Sequence, residues 1–137
     1  FAGLKRLNLA DRATAIIDDT TLLPACAQGA IGIEIRAADN VAATAISRLD
    51  HQQTHITVIT ERAFLRVLDG SCRTPIAGLA QFDGQTIHFR GQVLSPDGKR
   101  QVQVERTGSA REAIRLGEDA AAEILRHAGP DLLGARP

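Results

Sequence analysis

From Ile56 to Leu68 the apolar residues Ile56, Ile59, Ala63, Phe64, Val67 and Leu68 recur at three- and four-residue steps, and Gly70 and Pro75 then interrupt the pattern. That spacing predicts one face of an α-helix. Gly70 suits the positive φ at which helices commonly end, and Pro75 prevents the helix from resuming. Cys72 is left on a tight turn between helix and strand. Beyond it the apolar period changes to alternation. Ile76 to Phe82 reads as a strand, Asp83-Gly84 as a two-residue hairpin turn, and Ile87, Phe89 and Val93 alternate with His88, Arg90 and Gln92. Pro96-Asp97-Gly98 makes the next turn, after which Val102 and Val104 alternate with Gln101, Gln103 and Glu105. A helix followed by three short strands joined by tight turns predicts an antiparallel meander.

Ser109 and Glu112 predict a capping box, in which each side chain satisfies the other residue's free backbone N–H. The helix that follows would carry Ala110, Ile114, Ala121, Ile124 and Leu125 on one face until Gly129-Pro130 stops it. The fold class is therefore α+β, a three-stranded antiparallel sheet covered on one face by helices.

The preceding residues read as a partial α/β segment. Ala2 to Leu9 predicts a short helix, and the polar stretch from Asp11 to Thr21 carries only the apolar patch Ala15-Ile16-Ile17. From Gly29 to Arg36, Ile31, Ile33 and Ile35 alternate with Gly32, Glu34 and Arg36, the pattern of a strand with one buried face. Asp39 or Asn40 can cap a helix with Val41, Ala45, Ile46 and Leu49 on one face. Asp50, with Gln53 three residues on, predicts a capping-box start for the long helix. The chain divides at this point into residues 1–49 and residues 50–137.

Composition excludes several function classes. With 137 residues, 44% of them hydrophobic, and a formal net charge of zero, the chain can bury one ordinary core. Lys and Arg are interspersed with Asp and Glu, which argues against a nucleic-acid partner held by bulk charge. No apolar run reaches the length of a membrane span, so a cytoplasmic protein without a membrane partner is expected. Two cysteines without a neighbouring histidine pair do not supply a metal site, and no Cys-x-x-Cys redox motif is present. The chain contains no Met and begins at Phe1, so it is expected to be a fragment.

The run Glu61-Arg62-Ala63-Phe64-Leu65-Arg66-Val67-Leu68-Asp69-Gly70-Ser71-Cys72-Arg73-Thr74-Pro75-Ile76-Ala77 resembles the cofactor-attachment segment of the porphobilinogen deaminase (hydroxymethylbilane synthase) family. The matching positions are Glu61, Arg62, Phe64, Leu68, Gly70, Ser71, Cys72, Thr74, Pro75, Ile76 and Ala77. The block from Leu23 to Glu34 is similar to the family's segment returning from its second domain to its first, and Ala2-Gly3-Leu4-Lys5-Arg6-Leu7 to the helix before it. All three blocks fall in family order. The resemblance implies that residues 1–49 hold the end of the second domain plus a crossing strand and helix of the first. Residues 50–137 would be the C-terminal, cofactor-attachment domain.

The resemblance further implies a dipyrromethane cofactor joined to Cys72 by a covalent thioether in the full-length enzyme, with the fragment able to lack it. Porphobilinogen would be the substrate: four molecules condense with loss of ammonia, and water releases the linear tetrapyrrole hydroxymethylbilane. The carboxylates of these pyrroles call for nitrogen donors. Arg6, Gly3, Gln28 and Gly29 fall on family positions of that kind, while Ala27 stands where the family more usually has glycine. The essential aspartate of the family lies in the absent first domain, so no catalytic residue is assigned here and the fragment is expected to be inactive. The full-length enzyme is expected to be a monomer. A helix C-terminus does not favour a thiolate, so activation of Cys72 would fall to groups such as Arg62, Arg66 and Arg73. Cys26 matches no family role and reads as a core or hinge thiol. The alternative from another class is a non-catalytic α+β binding module with a structural cysteine turn.

Overall fold

The computed structural model describes residues 1–68, 75–129 and 132. In chain order the elements are α1 (Ala2–Arg6), α2 (Asn40–Ile46), α3 (Gln52–Leu68), β1 (Ile76–Phe82), β2 (Thr86–Leu94), β3 (Gln101–Ser109) and α4 (Ala113–Ala128), with 3-10 turns at Ala10–Arg12, Ser47–Leu49 and Ala110–Glu112. The strands form an antiparallel sheet in the order β1-β2-β3, with Gly78 opposite Gly91 and Gly91 opposite Val104. Helices α3 and α4 pack against each other and against this sheet, giving the α+β class expected from the alternating patterns.

The core lies between sheet and helices. Phe64 of α3 and Phe89 of β2 meet edge to face with ring centroids 5.0 Å apart, surrounded by Ile87, Val93, Val104, Leu116 and Ile124. Room for the Phe64 ring exists because Gly91 has no side chain: a Cβ there would lie 2.7 Å from the ring. Where α3 and α4 cross, Gly117 is the contact residue, and a Cβ on it would run into the carbonyl oxygen of Thr60 and come within 2.8 Å of the Phe64 nitrogen.

Several local expectations hold. Asp39 caps α2 by accepting from the Ala42 N–H at 2.9 Å. Glu112 accepts from the Ser109 N–H at 3.1 Å in a complete capping box, and Gly129 ends α4 at φ +66°.

Others are corrected. The hairpin turn centres on Gly84 and Gln85, one residue later than expected, because the Asp83 carboxylate accepts from the N–H groups of Gln85 and Thr86 and so becomes the corner before the turn. The start of α3 is not capped by Asp50 and Gln53. His51 instead places Nδ1 2.8 Å from the Thr54 hydroxyl, and Asp50 turns to His55 at 3.4 Å. On α4 the buried face is Ala113, Leu116, Gly117, Ala120, Ala121, Ile124 and Ala128, while Ile114 is half exposed. Small residues take the seam because α3 approaches too closely for a branched side chain.

The largest departure is in the first segment. The alternating stretch Gly29 to Arg36 joins no ladder, and Ile31 stays 88% exposed. A period-two pattern describes a strand only when a neighbour takes its N–H and C=O groups and a layer covers its apolar face. Among the described residues neither exists here. On α2, Val41 is exposed in the same way, so the face read from Val41, Ala45, Ile46 and Leu49 is not buried.

Gly117→Ala is expected to destabilise the folded chain by about 3 kcal/mol, since backbone rather than a flexible side chain occupies the space. Urea denaturation followed by circular dichroism measures this, and an unchanged midpoint would refute the close crossing.

Candidate functional site

One part of the first segment is bound tightly to the sheet. Strand β1 is an edge strand, and the N–H groups on its outer side need acceptors. The Gly78 N–H donates to the Pro24 carbonyl at 3.0 Å, and the Ala80 N–H donates to Glu61 Oε1 at 2.8 Å. The other oxygen, Glu61 Oε2, accepts from the Ala27 N–H at 2.5 Å. Glu61 is only 6% exposed, so this carboxylate joins α3, β1 and the Pro24–Gly29 turn from inside the protein. Burial pushes its carboxyl above the ordinary range, outweighing the N–H groups of Ala80 and Ala27 that favour the anion.

The turn itself is shaped by this contact. Ala27 sits at φ +58° and Gly29 at φ +83°, both in the left-handed region. The Gln28 N–H donates to the Ala25 carbonyl at 3.1 Å, and that of Ala30 to the Ala27 carbonyl at 3.2 Å. Gln28 and Gly29 are exposed at the crest of the turn. Among the described residues, neither the Gln28 carboxamide nor the Gly29 N–H is engaged in a hydrogen bond, so both can donate to an anionic group. At that φ glycine meets no Cβ penalty, whereas alanine does.

A second polar tie lies on the opposite face of the sheet. Arg90 of β2 donates to Asp19 Oδ1 at 2.9 Å and to the Asp19 carbonyl at 3.4 Å. The neighbouring Asp18 organises its own loop by accepting from the Thr20 hydroxyl at 2.6 Å and its N–H at 2.8 Å, which holds its carboxyl below the usual carboxylate range.

Gly3 and Arg6 lie on α1, both exposed, with the Gly3 carbonyl accepting from the Leu7 N–H at 3.1 Å. No hydrogen bond or ion pair among the described residues joins them to Gln28 or Gly29. Cys72, with Arg73, lies outside the described residues. Its described neighbours are the buried Leu68 that ends α3 and Pro75, whose carbonyl accepts from the Leu94 N–H at 3.0 Å. Of the two arginines named beside it on α3, Arg66 pairs with Glu118 at 2.8 Å and Arg62 is exposed. Two surface concavities, lined by residues between Glu34 and Ala42, include none of the residues expected to bind cofactor or substrate. No group of His, Cys, Asp or Glu among the described residues is arranged to hold a metal ion.

Cys26 packs against the core, close enough that a Cβ at Gly78 would meet its sulfur at 2.8 Å. Burial, with the Glu61 charge as a second cause, pushes its thiol up to about 12. Sequence reading missed Glu61 as anything but a motif letter, because a carboxylate on the apolar face of a helix carries no periodic signal. Its only other trace was its place five residues after Ile56 and three before Phe64, inside the buried stripe.

Two outcomes follow from this geometry. Ala27→Gly, which removes the left-handed strain at some cost in unfolded-chain entropy, is expected to raise stability by about 0.5–1 kcal/mol in thermal unfolding. Cys26 is expected to resist a disulfide reagent at pH 8 in the folded protein and to react on unfolding; fast labelling of Cys26 in the native chain would contradict its burial.

Comparison with known proteins agrees with the sequence resemblance along nearly the whole chain. The family profile described as the C-terminal domain of porphobilinogen deaminase matches residues 55–126. The profile described as the dipyromethane cofactor binding domain of porphobilinogen deaminase matches residues 1–44. The porphobilinogen deaminase of Nitrobacter hamburgensis is 45% identical over 129 residues, covering 94% of this chain and 41% of that protein. The chloroplastic porphobilinogen deaminase of Pisum sativum is 47% identical over 134 residues, covering 95% of this chain and 36% of that protein. The chain thus spans well under half the length of these relatives, and no helix among its described residues is long and apolar enough to cross a membrane. By profile and by identity, the chain belongs to the porphobilinogen deaminase family.

Proposed function

We propose that these residues are the part of a porphobilinogen deaminase that anchors the dipyrromethane cofactor, through a thioether to Cys72, and helps bind the carboxylates of the pyrrole chain. The whole enzyme converts four porphobilinogen molecules and one water into hydroxymethylbilane and four ammonia molecules. What supports the reading is the match across residues 55–126, which contains the Cys72 run, together with the match over residues 1–44 to the cofactor-binding domain.

The donor set fits an acidic pyrrole ligand. Gln28 offers a carboxamide and Gly29 a backbone N–H, both exposed and without a partner among the described residues. Arg6 is exposed and makes no ion pair with a described residue. Each can hold a carboxylate, Arg6 with the geometry for two parallel hydrogen bonds. Gly3, on the same turn of α1, leaves room for backbone to approach a ligand. When bound, the cofactor supplies a free pyrrole α-carbon as the nucleophile on which the chain is extended. The sulfur of Cys72 serves as its fixed point, and Cys26 has no part, since a thiol pushed up to about 12 cannot supply a thiolate near neutral pH.

We further propose the division of roles at residues 1–49 and 50–137, a cytoplasmic enzyme acting as a monomer without nucleic-acid or membrane partners, and no activity for these 137 residues alone. The last follows because no carboxylate able to stabilise pyrrole cations is assigned within them. The reading of a non-catalytic binding module has no observation in its favour.

Intact mass and peptide mapping of a protein of the relatives' full length, carrying this sequence, test the central claim. A dipyrromethane adduct on the Cys72 peptide, lost in Cys72→Ser together with activity, is expected. An active enzyme with an unmodified Cys72 overturns it. The 137-residue chain, given porphobilinogen, is expected to form no hydroxymethylbilane.

A further inference from the structure

We propose that Glu61 is a positioning residue for the ligand-binding turn: it fixes Gln28-Gly29 relative to the helix that leads to Cys72. The inference rests on the functional reading above, and the geometry carries it further. Glu61 stands on α3, seven residues before that helix ends at Leu68 and eleven before Cys72 in the sequence. Its two oxygens are divided between two segments distant in sequence, Oε1 to the Ala80 N–H of β1 and Oε2 to the Ala27 N–H immediately before Gln28. The carboxylate is the one side chain that hydrogen-bonds to this turn among the described residues.

Three features make this more than packing. First, Ala27 is held in the left-handed region, a conformation that alanine adopts at a cost and that sets the direction in which Gln28 and Gly29 leave the sheet. Second, among the described residues the only backbone bond between the turn's first half and β1 is Gly78 N–H to Pro24, three residues upstream, so it does not by itself fix Ala27. Third, a stability role alone does not call for a charge: a buried carboxylate with two N–H partners gains little over an apolar group once its desolvation is counted. What the charge adds is a direction, because two acceptor oxygens on one rigid group set the distance between two backbones.

The isosteric variant Glu61→Gln separates the alternatives. Its carbonyl oxygen can keep one N–H, while its NH2 group faces the other donor against donor. Because β1 is also held by its ladder with β2, the Ala27 contact is the one expected to break. In the full-length enzyme, we expect residue-resolved hydrogen exchange to show loss of protection at the Ala27 amide with the Ala80 amide still protected. KM for porphobilinogen is expected to rise about tenfold, more than kcat falls. The Cys72 adduct is expected to remain in the mass spectrum. A purely structural Glu61 would lower the yield of active enzyme and leave KM where it was, which would overturn the proposal, as would a folded Glu61→Gln enzyme whose Ala27 amide stays protected.

If the variant fails to fold, the wild-type enzyme still decides. An Ala27 amide exchanging as fast as those of Gly29 and Ile31 means that no tie exists, whereas slow exchange against fast neighbours supports it. Failure of the functional reading is seen separately, in the wild-type arm: active enzyme with no adduct on Cys72 removes that reading and this proposal with it.

Discussion

The outer edge of β1 sets the terms for the rest of the structure. A three-stranded sheet has two edges, and an N–H turned away from its ladder on a half-buried edge must find an acceptor or cost a few kilocalories per mole. Covering that edge with another strand would have extended the sheet. Instead the Pro24 carbonyl takes the Gly78 N–H and the Glu61 carboxylate takes that of Ala80. The same carboxylate then reaches the Ala27 N–H, so closure of the sheet and attachment of the first segment are one event. Leu23 and Cys26 follow their backbone inward, which is why Leu23 is buried while Leu22 beside it is more than half exposed.

Much of the fold from Gln52 onward was legible in the sequence, for a physical reason. Its elements are local, and each is bounded by residues with one conformational meaning, such as Gly84 and Gly98 in the turns and Ser109-Glu112 at the last helix. Two errors there were of one residue, where a side chain outcompeted the expected one: Asp83 moved the turn, and His51 replaced Asp50 at the start of α3. A third was the buried face of α4, where small residues rather than Ile114 meet α3. Within the first segment the stretch from Gly29 to Arg36 departs from its strand reading, because its pattern names a role that depends on a neighbour. Ile31, Ile33 and Ile35 alternate as a strand's residues do, yet alternation cannot say whether a strand lies beside them. For the candidate site, sequence picked out Gln28 and Gly29 through resemblance and marked Glu61 only as a motif position, without a role, since its two contacts are with residues 34 and 19 positions away.

The two helices show how composition encodes distance. Alanines and a glycine on the buried face of α4 bring its backbone against Thr60 and Phe64, which in turn fixes where α3 lies above the sheet. Thr60 is fully buried and satisfies its hydroxyl against the Ile56 carbonyl, a device for putting a polar residue in a seam without an open hydrogen bond. With α3 fixed in this way, the side chain of Glu61 emerges at the level of Ala80 rather than a turn above or below. The small-residue seam and the carboxylate tie are therefore coupled, although they lie on different sides of α3.

Energetics say what the tie is for. Hydrogen bonds to a charged group contribute about 1.5–3 kcal/mol each, while removing a carboxylate from water costs several kcal/mol. Burial shifts the Glu61 carboxyl upward despite two N–H partners, so desolvation is the larger of the two effects on its ionisation. A group in that balance adds little net stability, yet breaking one side of it leaves an uncompensated buried charge. Alternatives are thus penalised more strongly than the native arrangement is rewarded. Such an imbalance specifies geometry, holding one turn to one strand at one distance, and it adds to the effect of burial on the neighbouring Cys26: desolvation raises the thiol first, and the buried carboxylate beside it disfavours a second anion further.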